Sequence, residues 1–326
     1  MRSQIVGTGS YAPEKVLTNA DLEKLVDTND QWIRERTGIR ERRMIAEGEA
    51  TSDLAHRAAL RALEAAKLDP KDVEAIICGT VTADYPFPSL ATVLQGKLGN
   101  KKAFAFDVSA ACAGSIYAMA VADRFVCTGA VKNALVLGAD ALTRISDWTD
   151  RNTCILFGDG AGAMVLRPTD DPKRGISTIR LHADGSHVAI LLQPGGGSKD
   201  PISEKVVRER THFVKMKGGE VFKVAVRALE ESCREVLAAE KLAPSDVTYV
   251  IAHQANKRIL DATLSRLEIP AERCWMNLEK YGNTSAASVP MTLDEANRAG
   301  WFKPGDVILI MAIGGGMAWG AGIIRW

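Results

Sequence analysis

Three residues far apart in the chain have side chains and surroundings suited to covalent chemistry. Cys112 lies where a strand pattern over residues 103–108 meets a helical run of small residues over 113–120. A thiol at a helix N-terminus feels the positive end of the helix dipole, which predicts a lowered pKa and a thiolate nucleophile. The alanines and Gly114 around it let the backbone turn sharply and a substrate approach. A nucleophilic cysteine needs partner groups from elsewhere in the fold. His253 ends the strand pattern 248–252, and strand ends in α/β sheets are where ligands bind. Asn283 stands just ahead of a second small-residue helix, and its amide stays a neutral hydrogen-bond donor at every relevant pH. Cys78, Cys127, Cys154, Cys233 and Cys274 lack such a setting and read as small buried hydrophobes. His182 and His187 bracket Asp184 without a third spaced ligand, so no metal site is predicted, and His56 and His212 read as surface.

The elements that must position these residues come in two copies. The run 65–73, with Pro70 ahead of an apolar strand, recurs at 239–247 with Pro244. Ser109-Ala110-Ala111-Cys112 is echoed by Ser285-Ala286-Ala287-Ser288, the strand 134–138 by 307–310, and Gly160-Ala161-Gly162 by Gly320-Ala321-Gly322. Matches in the same order at a spacing of about 174 residues point to an internal duplication. Helical segments alternate with short continuous apolar strands, the pattern of α/β layers around buried sheets. Two halves are therefore expected, 1–172 with Cys112 and 173–326 with His253 and Asn283, so that their junction makes one site. Residues 193–214 read as a surface loop inserted in the second half.

Composition narrows the function classes. The 326 residues carry 41 Lys+Arg against 40 Asp+Glu, a net charge of +1 that argues against a nucleic-acid binder. The apolar fraction of 46% with 25% charged residues excludes intrinsic disorder. Residues 307–324 are uncharged, but Gly314-Gly315-Gly316 interrupts them, so they read as two buried strands and no membrane span is expected. Six scattered cysteines and an N-terminus that runs straight into a strand pattern predict a reduced, cytoplasmic protein.

Several motifs resemble the β-ketoacyl-acyl carrier protein synthase III family. They are Asp107-Val108-Ser109-Ala110-Ala111-Cys112-Ala113-Gly114, Phe157-Gly158-Asp159-Gly160-Ala161-Gly162-Ala163, His253-Gln254-Ala255-Asn256 and Gly282-Asn283-Thr284-Ser285. Gly7-Thr8-Gly9 and Trp32-Ile33-Arg34-Glu35-Arg36-Thr37-Gly38 extend the likeness to the start of the chain. The resemblance implies a thiolase-like α/β fold, two βαβαβαββ halves in a five-layered α/β/α/β/α unit, usually a homodimer. It implies the initiating condensing step of type II fatty acid synthesis, in which an acyl-CoA primer and malonyl-acyl carrier protein give β-ketoacyl-acyl carrier protein, CoA and CO₂. In that chemistry Cys112 holds the acyl group, the amides of Cys112 and Gly315 form the oxyanion hole, and His253 and Asn283 hydrogen-bond the malonyl thioester. The CoA contacts it implies are Thr28, Trp32, Arg36, Arg151, Gly218, Phe222 and Asn256. The acyl pocket it implies is Leu142 and Phe157, with Phe87 reaching across the dimer. Arg258 matches a carrier-docking position, and Lys223 and Lys257 stand near it. The CoA thioester is substrate; no cofactor and no metal are implied.

The residues alone keep some readings open. Trp32 and Arg36 share a helix face, which suits a stacked adenine but also an ordinary exposed helix. Lys215, Lys217, Lys223, Lys257 and Arg258 read either as a basic rim for an acidic carrier or as a solvated face. Gly158-Asp159-Gly160-Ala161-Gly162-Ala163 fits a dinucleotide fingerprint, but a strand pattern follows it where that motif needs a helix. The resemblance adds that Ala312 stands where degradative thiolases carry a second cysteine, which implies decarboxylation over deprotonation as the source of the carbanion. Ile313 and Met317 replace the Phe that relatives often have and so alter the pocket's shape. A secondary-metabolite condensing enzyme or an acyltransferase of the same fold is the alternative.

Overall fold

The computed structural model describes residues 2–326. The first half begins with β1 (Arg2–Tyr11), followed by an antiparallel pair, β2 (Lys15–Thr18) and β3 (Glu41–Met44), that encloses α1 (Asn19–Leu22) and α2 (Asp30–Thr37). It continues through α3 (Thr51–Ala65), β4 (Ala75–Gly79), α4 (Leu90–Lys97), β5 (Phe104–Val108), α5 (Gly114–Cys127), β6 (Ala134–Ala141) and β7 (Asp159–Thr169). Its sheet runs β1-β7-β6-β4-β5, with β4 parallel to both neighbours and β7 antiparallel to both of its own.

The second half repeats the plan. β8 (Gly175–Ala183) leads through β9 (Leu191–Leu192), α6 (Glu204–Arg208) and β10 (Lys215–Met216) to α7 (Gly218–Ala239), β11 (Tyr249–Ala252) and α8 (Lys257–Leu267). α9 (Leu278–Tyr281), α10 (Ser288–Arg298), β12 (Val307–Gly314) and β13 (Ala318–Arg325) complete it. The sheet order is β11-β12-β13-β8, so the uncharged segment 307–324 is the expected pair of strands. The counterpart of β5 is reduced to a single parallel bridge between Val250 and Cys274. The backbone there bonds to a side chain instead: Gln254 donates to the Trp275 carbonyl and accepts from the Asn277 and Leu278 amides.

Three apolar clusters stack these elements into five layers. One joins α3 and α4 to the outer face of the first sheet, and one joins α7 and α8 to the outer face of the second. The third joins α5 and α10 to the facing sides of both sheets. A helix between two sheets has no solvent face, which is why α5 reads as small residues and α10 is buried from Ser288 to Asp294. Close approach is built in: a methyl added at Gly138 on β6 would lie 1.9 Å from the Ala286 carbonyl oxygen.

Two expectations shift. The turn Ala111–Ala113 corresponds to Ser285–Ala287, since Ala111 (φ 46) and Ser285 (φ 52) both open a 3₁₀ turn in the left-handed region. The counterpart of Cys112 is therefore Ala286 rather than Ser288; short runs of Ser and Ala align in more than one register, and only the backbone distinguishes them. The segment 193–214 is not a bare loop. It holds α6, and Arg210 and Lys215 bind the buried Asp147 carboxylate, whose pKa they hold well below the usual range together with Thr149.

Candidate active site

Cys112 is the middle residue of the 3₁₀ turn that feeds α5, and Ser285 opens the matching turn that feeds α10; the two turns touch. The end of β12 crosses directly over the first. A methyl at Gly314 would lie 2.4 Å from the Cys112 nitrogen and 2.9 Å from Ala111 Cβ, so only glycine fits there. Neither the Cys112 nor the Gly315 amide donates to another group of the described residues, and both residues line the same cavity.

His253 follows β11, with its amide donating to the Met311 carbonyl at 2.8 Å. Its neighbour Gln254 is wholly buried, and its side-chain bonds to Trp275, Asn277 and Leu278 hold the strand end in place. Burial takes the His253 imidazole down to about 4, against a small opposing contact from the Ser285 backbone, so the ring is neutral near pH 7. Asn283 is gripped on both sides. Its amide donates to the Leu156 carbonyl at 2.8 Å, its carbonyl accepts from Gly158 at 3.0 Å, and its Oδ1 accepts from the Ser285 amide at 2.9 Å. Its Nδ2 has no hydrogen-bond partner among the described residues, and Asn283 lines the cavity.

The expected thiolate does not arise in the free protein. Burial pushes the Cys112 thiol from 9.0 up to about 12, the Asp140 carboxylate adds to this, and the nearby Ser285 hydroxyl opposes it. That rise corresponds to about 4 kcal/mol, whereas a helix terminus typically supplies about 0.3–1 kcal/mol. The α-helix also starts only at Gly114. Alkylation of the free protein by iodoacetamide should therefore climb about tenfold per pH unit from about pH 6 to 9, because only the thiolate reacts. A plateau near neutrality, read by intact mass, would contradict a buried neutral thiol.

One cavity of about 940 Å³ joins Cys112, His253 and Asn283. Its more exposed rim, or mouth, carries Trp32, Arg36, Gly218, Phe222, Lys223, Asn256 and Arg258, and its buried apolar lining includes Leu142, Ile155, Leu156 and Phe157. Asn256 caps α8 and donates to the Arg36 carbonyl, which ties the second half to α2. The guanidinium carbons of Arg36 and Arg151 lie 4.6 and 5.2 Å from the Trp32 ring centroid. Since stacked groups sit about 3.5–4.0 Å apart, a base can enter between indole and guanidinium only if an arginine swings out.

Other expected residues lie outside the lining. Arg151 reaches the mouth only through Trp32 and bonds to Asp27. Thr28, just before the Asn29 cap of α2, has a buried, unpartnered hydroxyl. Phe87 is 85% exposed. Of the expected basic rim, Lys257 pairs with Asp261, Lys217 with Glu220, and Lys215 with Asp147, which leaves Lys223 and Arg258 at the mouth beside Arg36. His182 turns to Glu235 at 2.6 Å, and no group of three metal-ligating side chains gathers among the described residues.

Ile145, Ile155 and Leu156 also line the cavity and were not singled out from the sequence. A signal for them existed, because 142–158 links β6 to β7 where only 315–317 links β12 to β13. Arg42, fully buried, anchors this inserted segment by donating to the Ile155 carbonyl at 2.8 Å and to Asn19 Oδ1 at 2.9 Å.

Comparison with known proteins decides the family. Family models described as 3-oxoacyl-[acyl-carrier-protein] synthase III and its C-terminal part match residues 106–185 and 237–326. A β-ketoacyl-[acyl-carrier-protein] synthase III of Desulfitobacterium hafniense is 49% identical over 322 residues, 99% of this chain and 97% of that one. The chain belongs to the β-ketoacyl-acyl carrier protein synthase III family. A Xanthomonas campestris member is 50% identical over 324 residues, 99% of this chain and 98% of its own. The crystal structure of the Aquifex aeolicus member superposes with a TM-score of 0.93 at 48% identity, covering 99% of this chain and 100% of that one. The fold is thus thiolase-like, and this synthase III chain is an acyl-transferring condensing enzyme that initiates fatty acid synthesis. No helix among the described residues is long and apolar enough to cross a membrane.

Proposed function

We propose that Cys112, His253 and Asn283 divide two half-reactions between them. In the first, Cys112 Sγ attacks the thioester carbonyl of an acyl-CoA, the carbonyl–sulfur bond to CoA breaks, and the thiol proton leaves with CoA. The unpartnered amides of Cys112 and Gly315 stabilise the oxyanion. In the second, malonyl-acyl carrier protein enters and its carboxylate leaves as CO₂. The resulting enolate oxygen is held by His253 and Asn283, and its carbon attacks the acyl-cysteine. β-Ketoacyl-acyl carrier protein departs, and the Cys112 thiolate regains a proton from water.

The observation that carries this reading is the cavity itself, where one nucleophile meets two neutral donors from the other half of the sequence. With its pKa near 4, His253 suits donation to an enolate better than proton abstraction. Ala312, wholly buried on β12, offers no group for deprotonation. The test is to incubate the protein with acyl-CoA and find the Cys112 adduct by intact mass, then add malonyl-acyl carrier protein and measure CO₂ and β-ketoacyl product. An adduct without CO₂ release favours the acyltransferase alternative, and no adduct at any chain length overturns both.

The same proposal assigns residues 1–172 and 173–326 to two halves; β7 ends at Thr169 and β8 begins at Gly175. It places the CoA nucleotide against Trp32 and Arg36, the acyl chain against Leu142 and Phe157, and the carrier against Lys223 and Arg258. Trp32→Ala should raise the acyl-CoA KM about tenfold with little change in kcat, the size expected for losing a stacked cation–π partner; an unchanged KM would remove Trp32 from the site. A homodimer fits the open edge of the first sheet at β5 and the exposed Phe87, and sedimentation at the single-chain mass would exclude it. Six free cysteines fit a cytoplasmic location; export of the protein in a cell-fractionation experiment would exclude that.

A further inference from the structure

The two turns at the centre of the molecule share a backbone course but differ in what meets their second amide. β12 crosses the Cys112 amide and β6 crosses the Ala286 amide. The strand residues at the two crossings are equivalent: Ala134 pairs with Ala75 and Ile308 with Tyr249, and six residues on come Asp140 and Gly314. Gly314 leaves the Cys112 N–H without a partner. Asp140 instead accepts from the Ala286 N–H on Oδ2 at 3.2 Å. The two turns therefore present equivalent amides, one open and one capped by a carboxylate.

Asp140 is wholly buried and used by neither half-reaction. Its Oδ1 accepts from Thr80 Oγ1 (3.1 Å), the Val81 and Thr82 amides (2.9 and 3.2 Å) and Thr82 Oγ1 (2.8 Å). These bonds satisfy the loop after β4. The Oδ2 bond is separate and holds the Ser285–Ala286 peptide. Ser285 has φ 52, a conformation that costs a non-glycine residue on the order of 1–3 kcal/mol and persists only where its surroundings over-determine it. Its amide in turn sets Asn283 Oδ1, and so the direction of Asn283 Nδ2.

We propose that Asp140 is the positioning residue for Asn283: by capping the second amide turn it fixes the Asn283 donor for the malonyl half-reaction, while Gly314 leaves the first turn open for the acyl half-reaction. The proposal rests on the two-step reading above. It predicts that loss of the Asp140 carboxylate lowers the malonyl half-reaction alone. Its charge also raises the Cys112 pKa, so acylation can rise on its removal but does not fall, as it would with a fold defect.

Asp140→Asn separates the two sets of bonds. An amide has one acceptor, which the four donors on the Oδ1 side claim, so its NH₂ faces the Ala286 N–H and cuts that link alone. Acylation of Cys112 should not fall, and rises if anything because a charge that disfavours the thiolate is gone. The acyl-CoA KM should stay within about threefold of wild type, while decarboxylation of malonyl-acyl carrier protein falls about tenfold to hundredfold. Adding Asp140→Asn to Asn283→Ala should cost nothing further, because both act through one side chain. An equal fall in both half-reactions, an unchanged decarboxylation, or additivity in the double variant overturns the proposal. Should Asp140→Asn not fold, Asp140→Ser carries the same comparison, and failure of both to fold assigns the carboxylate to stability and overturns it too. A wild-type protein that neither acylates nor decarboxylates would instead overturn the condensing reading.

Discussion

His253→Ala and Asn283→Ala proteins are expected to take an acyl group onto Cys112 from acyl-CoA at near wild-type rate, yet to lose malonyl decarboxylation by about 10²–10³-fold each, the usual cost of one preorganised donor. Both side chains present donors and neither is poised to move a proton. Asn283 has its Oδ1 taken by the Ser285 amide, which leaves Nδ2 for substrate. His253 is held neutral by burial, with one ring nitrogen, Nδ1, buried and without a hydrogen bond. Acylation exchanges one thioester for another and sends the Cys112 proton out with CoA, so it needs neither donor. The measurement is the rate of adduct formation by intact mass beside CO₂ release. Loss of acylation in Asn283→Ala would reassign that residue to the first half-reaction. Between about pH 6 and 9 the wild-type decarboxylation rate should show no inflection from His253. Its pKa lies near 4, so the ring is deprotonated throughout that window and would gain charge only as the pH falls toward 4.

Gly314→Ala is expected to give the opposite split. The added methyl would sit 2.4 Å from the Cys112 nitrogen and 2.9 Å from Ala111 Cβ, closer than a Cβ carbon approaches non-bonded atoms. Either β12 or the Cys112 turn must move. Overpacking of this kind costs about 1–3 kcal/mol of stability. The displaced amide belongs to the oxyanion hole, so acylation should fall by about 10²–10³-fold. His253 is held at Met311, three residues before Gly314 on β12, and Asn283 at Leu156 and Ser285, so both donors keep their anchors and should still decarboxylate malonyl-acyl carrier protein. Thermal unfolding separates the two effects: a folded variant with a lowered Tm, poor acylation and retained decarboxylation supports the assignment. A variant that acylates normally would remove the Cys112 amide from the mechanism.

Much of the architecture was legible because hydrophobic patterning is a local property. The apolar strand after Pro70 and the strand patterns at 134–138, 248–252 and 307–310 lie on the buried strands β4, β6, β11 and β12, and the small-residue runs after Cys112 and Ser285 became the two helices between the sheets. Features that depend on backbone dihedrals were not legible. Ala111 and Ser285 look ordinary in sequence, yet both adopt positive φ, and that register makes Ala286 the counterpart of Cys112. The missing strand at Cys274 was invisible because the Gln254 side chain substitutes for a ladder.

The sequence by itself determined the alternation of helices with buried strands and which cysteine, histidine and asparagine deserve pairing, because periodicity, small residues and strand-end positions are written residue by residue. Only the tertiary structure decided their protonation. The helix-terminus argument for a Cys112 thiolate considered one local dipole, whereas burial between two sheets acts from every side and is the larger effect. The tertiary structure likewise decided that Gly314 opens one amide and Asp140 caps the other. That difference depends on which strand crosses which turn, and it exists only once the two halves are packed together.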